Sequence, residues 1–295
     1  MVSNAFSDIL KERLLELLKV LLSFFEYHGL RCYGCGGTVL GAVRHKGFIP
    51  WDDDIDLYMP RKDYDRLVGL NAELDAAGLS FICFENNKDY YLPFGKVINN
   101  QTSIWERKEF PFMLGVYIDI FPLDYFDLPD ELISKKQFEY LNKYHVYQST
   151  QKKLSPRTVA IQLYSGGIKS CLKMFIGKLS QSKKTEYYNQ LIDYIDSIRN
   201  NKGAKTVCLT QWKGRIFKSE WFDNAVTLPF EDIQLSVPRD YDAYLKLLYG
   251  DYMTPPPTSS RLPKHEDLHY YVNLKERVSI TEAKLRLAKG EKLVY

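Results

Sequence analysis

Leucines 10, 14, 17, 18 and 21, closed by Phe25, recur at the three- and four-residue steps that line one side of an α-helix. Ser7 stands where a cap would start that helix, and His28-Gly29 where it would end. Leu30–Gly34 then reads as a short strand, Gly36-Gly37-Thr38 as a turn, and Val39–Arg44 as a short helix. A loop runs from His45 to Asp53. Ile55–Met59 has the apolar character of a strand, stopped by Pro60, whose fixed φ suits the first turn of a helix over Arg61–Leu70. Leu79–Phe84, Phe94–Ile98 and Val116–Phe121 are further strands, so residues 1–128 predict a mixed α/β unit.

The pattern changes after that. Asp130–Tyr147 and Lys184–Arg199 carry helical spacing, and the chain between them is interrupted at Ser165-Gly166-Gly167. From Lys205 short strands return, followed by a helix over Tyr241–Tyr249 that stops at Gly250, before Pro255-Pro256-Pro257. The expected organisation is an α/β (α+β) core over 1–128, a helical, basic insert over 129–204, and C-terminal strands and helices over 205–295 that complete the catalytic unit.

Composition narrows the class. With 295 residues, 45% hydrophobic and 26% charged, the chain is an ordinary globular sequence with enough apolar content for a core. The first 29 residues show neither a basic n-region nor an unbroken apolar stretch, and no segment has the ~20 apolar residues of a membrane span. Five cysteines, an odd number, fit a reducing compartment, and Cys32 and Cys35 read as structural thiols. A cytoplasmic location is expected. The net charge of +3 is too small to suggest a nucleic-acid partner. Its distribution says more: Gln151 to Thr185 contains no Asp or Glu, and Ile168, Leu172, Phe175, Ile176 and Leu179 interleave with Lys169, Lys173 and Lys178. That is the pattern of an amphipathic helix able to lie on the inner face of an anionic membrane.

The densest chemistry is Trp51-Asp52-Asp53-Asp54-Ile55-Asp56-Leu57, four carboxylates at the mouth of an apolar strand. Strand alternation puts Asp54 and Asp56 on one face and Ile55 on the other. Like charges so close resist joint ionisation unless a cation neutralises them, and an all-oxygen set suits Mg²⁺ or Mn²⁺. Asp119, inside the apolar run Val116–Phe121, is the natural third acid. Asp52, Asp54 and Asp56 also mimic the opening of a calcium loop, but Leu57 stands where that loop needs glycine, and Pro60 follows. Upstream, Gly36-Gly37-Thr38 offers small residues and a helix N-terminus to a phosphate.

Glycine turn, short helix and acid-bearing strand, in that order, resemble the nucleotidyltransferase superfamily. The run Gly37-Thr38-Val39-Leu40-Gly41-Ala42-Val43-Arg44-His45-Lys46-Gly47-Phe48-Ile49-Pro50-Trp51-Asp52-Asp53-Asp54-Ile55-Asp56 is specifically similar to the LicD family. Asp119-Ile120-Phe121-Pro122-Leu123-Asp124 reinforces it, and Tyr249-Gly250-Asp251-Tyr252-Met253 is similar to the family's closing motif. The resemblance implies a nucleotidyltransferase-like mixed sheet flanked by helices. It implies transfer of phosphocholine, or a phospho-alcohol such as ribitol phosphate, from CDP-choline or a similar CDP-alcohol. The acceptor would be a sugar hydroxyl of a cell-surface glycan precursor, of the teichoic acid or lipopolysaccharide kind, carried on a lipid at the cytoplasmic membrane face.

In that scheme Asp54, Asp56 and Asp119 are the catalytic acids and hold one or two Mg²⁺ or Mn²⁺ ions. Gly36, Gly37 and Thr38 line the phosphates, and Arg44 and Lys96 are their cationic partners. Trp51 stacks on the donor base or on a quaternary ammonium. Asp52 or Asp119 takes the acceptor proton. Rival readings use the same acids in a nucleotidyltransferase with a nucleoside triphosphate donor, or in a metal-dependent phosphohydrolase. A non-enzymatic adaptor would tolerate their neutralisation.

Overall fold

The structure is a computed structural model that describes residues 2–151, 163–164, 168, 171–172, 183–211, 215–261 and 269–295. The amphipathic helix expected over Ile168–Leu179 therefore lies largely outside the described residues.

The chain opens with α1 (Val2–His28), whose stripe Leu10, Leu14, Leu17, Leu18, Leu21 and Phe25 is buried as its spacing requires. The helix begins well before Ser7, which lies inside it and does not cap it. Next come β1 (Tyr33–Gly34), α2 (Gly36–Arg44), β2 (Asp56–Pro60), α3 (Arg61–Val68), α4 (Asn71–Ala76), β3 (Leu79–Ile82), β4 (Gly95–Asn99), β5 (Ser103–Trp105) and β6 (Tyr117–Phe126). The glycine turn is thus the first turn of α2, the first strand is shorter than Leu30–Gly34, and the helix after Pro60 divides near Gly69-Leu70. Two long helices, α5 (Asp130–Ser149) and α6 (Lys184–Ile198), pack on each other. The C-terminal part supplies β7 (Lys205–Val207), β8 (Ile216–Lys218), α7 (Glu220–Asp223), β9 (Val226–Phe230), β10 (Ile233–Val237), α8 (Tyr241–Tyr249), β11 (Tyr271–Asn273), α9 (Ile280–Ala288) and β12 (Leu293–Val294).

The fold is mixed α/β. Its main sheet runs β1-β2-β6-β4-β3, with β7 and β8 added beside β6. β2 and β6 are parallel and the other pairs are antiparallel. The C-terminal part does not stand apart: β7 joins β6, and β11 pairs with β5 in a smaller sheet with β12.

β6 is the spine of the molecule and runs five residues past the expected strand, through Pro122. Proline cannot donate to a ladder and so normally ends a central strand. Here β4 pairs up to Ile120 and β7 begins at Asp124, so Pro122 falls where one edge of β6 changes neighbour. Beyond it, Asp124 is wholly buried and accepts from Arg61 at 2.7 and 3.1 Å, a forked ion pair tying the start of α3 to the spine.

Removing one member of a buried pair leaves the other charge uncompensated, at a typical cost of about 3–5 kcal/mol. Asp124→Ala should lose that much in urea unfolding, and replacing Arg61 and Asp124 together by Met and Leu should recover most of it. Equal losses in the single and double variants would show that the pair contributes through shape rather than charge.

Candidate active site

Three neighbouring strands set the site. Asp56 on β2 stands opposite Asp119 on β6, and Asp119 stands opposite Lys96 on β4. Register partners present their side chains to the same face, and adjacent strands are only about 4.8 Å apart. Two carboxylates and one ammonium therefore form a row across the sheet. Asp54 lies just before β2 rather than within it, yet it faces the same cavity, as does Asp52.

Backbone contacts fix the row. The Asp56 amide donates to Thr38 Oγ1 at 2.9 Å, the Cys35 amide donates to the Asp56 carbonyl at 3.0 Å, and the Asp119 amide donates to the Ile55 carbonyl at 3.1 Å. Both backbone polar groups of Asp56 are thus held by the turn that opens α2. The loop ahead of the acids is held from two sides, by Lys11 Nζ on the Pro50 carbonyl (2.8 Å) and by the Phe48 amide on Glu231 (2.9 Å).

The acids crowd a cavity of about 680 Å³, lined by Gly36, Gly37, Arg44, Trp51, Asp52, Asp54, Asp56, Asp119, Arg215 and Tyr249 among others. Burial, and then Asp54, Asp119 and Asp52, push the Asp56 carboxyl well above the usual range, with Lys96 opposing. So much negative charge around one opening fits a hard divalent cation. One carboxylate oxygen each of Asp52, Asp53 and Asp54 also comes within 4.8 Å of the others. Asp53, however, is buried and is not among the residues lining the cavity.

Lys96 takes a different place from the one its sequence position suggests. It is 2% exposed and absent from the cavity wall, with Nζ 2.6 Å from Asp119 Oδ1, 3.4 Å from Glu106 Oε1 and 3.4 Å above the Tyr117 ring. Burial alone would lower its pKa, but Asp119 and Glu106 more than offset that and raise it. Glu106 in turn is opposed by burial yet held at about 2 by Lys96 and by the hydroxyls of Tyr117 and Tyr91. Lys96 therefore supports Asp119 from behind.

The glycine turn is also partly committed. Gly36 has φ +49°, and its amide donates to the Tyr244 hydroxyl at 2.8 Å, while the Thr38 amide bonds the Cys35 carbonyl and its hydroxyl serves Asp56. Gly37 is needed for contact: a Cβ there would meet Asp52 Oδ2 at 2.8 Å. Arg44 and Trp51 do line the cavity. Tyr249, Asp251 and Tyr252, from the closing motif, line it too, as does Arg215. Glu106 and Arg215 carried no periodic or motif signal. Cys35 is a buried thiol and Cys32 a half-buried one, and loss of solvent raises Cys32 to about 12 and Cys35 well above the ordinary value.

The sequence is similar to known proteins over the part of the chain that carries these acids. The family model "LicD/FKTN/FKRP, nucleotidyltransferase domain" matches residues 29–162. The lipopolysaccharide cholinephosphotransferase LicD of Haemophilus influenzae is 27% identical over 239 residues, spanning 78% of this chain and 84% of that protein. An uncharacterized protein of Rickettsia typhi is 26% identical over 129 residues, 44% of this chain and 40% of its own.

The raised Asp56 carboxyl has a signed consequence. In metal-free protein the native state keeps a proton that the unfolded chain releases near pH 3.9, so this group contributes stability at low pH that is lost as pH rises toward the raised value. Asp56→Asn removes that penalty. With EDTA at pH 7 the variant should melt higher than wild type, by roughly 2–4 °C for each kcal/mol relieved, and the gap should close toward pH 4. Scanning calorimetry at both pH values measures this, and a variant that melts lower at pH 7 would instead make Asp56 a structural acceptor.

Proposed function

Because this chain belongs to the LicD family and is a phosphotransferase of that kind, we propose that it moves phosphocholine, or a related phospho-alcohol, from a CDP-linked donor to a sugar hydroxyl of a cell-surface glycan precursor. The observation that carries the reading is the row of Asp56 and Asp119 on parallel strands, joined by Asp52 and Asp54 around one cavity. The alcohol and the acceptor class rest on the Haemophilus relative, a lipopolysaccharide cholinephosphotransferase.

Asp54, Asp56 and Asp119 would hold Mg²⁺ or Mn²⁺, which when bound offsets charge on the donor diphosphate. The chain's own residues do the rest. The N-terminal turn of α2, with Gly36 and Gly37 on the cavity wall, turns its positive end toward the phosphates. Arg44 and Arg215 add fixed positive charge on that wall. The acceptor oxygen attacks phosphorus, the bond from phosphorus to the bridging oxygen breaks, cytidine monophosphate leaves, and the acceptor proton passes to a carboxylate. Asp119 and Asp52 both border the cavity. A carboxylate bound to an ammonium is the weaker base, so the Lys96 contact at 2.6 Å favours Asp52 for the proton and Asp119 for ligation.

The test is release of cytidine monophosphate from a panel of CDP-alcohols, with and without acceptor glycan, in Mg²⁺ and in EDTA. We expect acceptor-dependent release, lost in EDTA, and lowered by about 10³-fold or more in Asp54→Asn. Acceptor-independent hydrolysis would make the protein a phosphohydrolase. Turnover of nucleoside triphosphates alone would make it a nucleotidyltransferase.

The acceptor reading extends to the membrane. No helix among the described residues is long and apolar enough to cross one. In the acid-free stretch, however, Tyr164, Ile168 and Leu172 are exposed at 97%, 78% and 59%, as a peripheral contact requires. The protein should sediment with anionic vesicles at low salt and release at high salt. Lys169→Glu, Lys173→Glu and Lys178→Glu together should abolish sedimentation and leave turnover on a soluble acceptor intact. Failure of the wild type to bind at low salt removes the membrane from the reading.

A further inference from the structure

Two cations of the chain itself already flank Trp51. The guanidinium carbons of Arg44 and Arg261 lie 5.9 and 5.1 Å from the centre of its ring, and the edge of His45 completes the surround at 6.2 Å. Elsewhere buried and half-buried arginines pair with acids, Arg61 with Asp124 and Arg199 with Asp65, whereas Arg215 on the same cavity wall is held by the Leu248 carbonyl. Neither Arg44 nor Arg261 has a carboxylate partner among the described residues. They are held by neutral acceptors instead. Arg44 donates to the Tyr252 carbonyl at 2.6 Å and to His45 Nε2 at 3.0 Å, and Arg261 donates to the Pro256 carbonyl at 2.8 Å.

Holding two like charges together without an acid between them is unfavourable, and here burial together with the charge of Arg261 lowers the Arg44 pKa. His45 is lowered as well, by burial and then by Arg44, which keeps its ring neutral and able to accept. Such a pair is relieved by an anion and worsened by a third cation. Guanidinium forks match phosphate oxygens in geometry as well as charge. The ring face that would attract a quaternary ammonium is also already next to two cations. The position fits: Trp51 is joined directly to Asp52 of the carboxylate cluster, and both line one cavity with Arg44 and Ser260, the neighbour of Arg261.

We infer that the Trp51 end of the cavity is a diphosphate subsite, clasped between Arg44 and Arg261, and that it excludes the cationic head of the transferred alcohol. This rests on the donor reading above and deepens it. It adds Arg261, which no motif in the sequence singled out, as a binding residue, and it reverses the expectation that Trp51 receives a quaternary ammonium.

Titration calorimetry on the full chain tests it, with CDP, inorganic pyrophosphate and choline as separate probes of wild type, Arg261→Met and Arg261→Lys. Loss of a charge-assisted phosphate contact should weaken CDP and pyrophosphate roughly tenfold or more in Arg261→Met. Arg261→Lys keeps the charge but not the fork, so its loss should be smaller and confined to the same two probes. Choline should bind the Met variant no more weakly than wild type. Weakened choline with unchanged CDP would make Trp51 a cation site and overturn the inference. Unchanged binding of all three would reduce Arg261 to a support for the Pro256 turn, which also overturns it. Pyrophosphate that depends on Arg261, in a protein that ignores CDP, would uphold the subsite while removing the cytidine donor. If Arg261→Met melts early, Arg261→Lys decides, since a loss confined to the phosphate probes upholds the subsite and no loss ends it.

Discussion

Everything about this molecule turns on keeping like charges together where two inner strands of the sheet, β2 and β6, border a cavity. Asp56 and Asp119 are neighbours across a parallel pair, Asp54 and Asp52 close in from the loop, and Lys96 is built against Asp119 from inside. Repulsion of this kind pushes strands apart unless something else fixes the backbone. That is the role of the Thr38 hydroxyl, the Cys35 amide and the Ile55 carbonyl, none of which touches the chemistry. The site is the place where the fold spends stability that the core supplies elsewhere.

Lys96 illustrates how much a buried neighbour can change a residue's meaning. As an isolated lysine on a strand it reads as a donor to substrate. In place it is enclosed by Asp119, Glu106 and the face of Tyr117, so its charge is used within the protein. Among the described residues, the cations that line the cavity, Arg44 and Arg215, are held by backbone carbonyls or a neutral imidazole and keep their charge available to a ligand.

Much of this was legible from the order of residues. Periodicity located α1 and most strands because apolar faces bury at fixed steps. The acids of the Asp52–Asp56 run were legible because consecutive carboxylates in an apolar setting have few structural uses. Asp119 was singled out by its apolar surroundings, and it stands opposite Asp56 in the parallel pair. What stayed hidden depends on contacts between distant segments. Pro122 hid the continuation of β6, because the change of neighbour that tolerates it is invisible locally. Glu106 and Arg261 acquire their roles only from side chains far away in sequence. Ser7 misled because a capping residue type is also an ordinary helix residue when the helix starts earlier.

The central position of β6 divides the site by how readily its parts open. Asp119 sits on a strand paired on both sides, beside β2 and β4, so its amide is freed only when the sheet itself comes apart. Trp51 and Arg261 sit on connecting segments whose hold is a few side-chain bonds to carbonyls. Hydrogen exchange would therefore be slow at Asp119 and faster along the segments that carry Trp51 and Arg261. The sheet side of the cavity is a fixed template, and the loop side is the one through which a charged ligand could pass without disturbing Asp56 and Asp119.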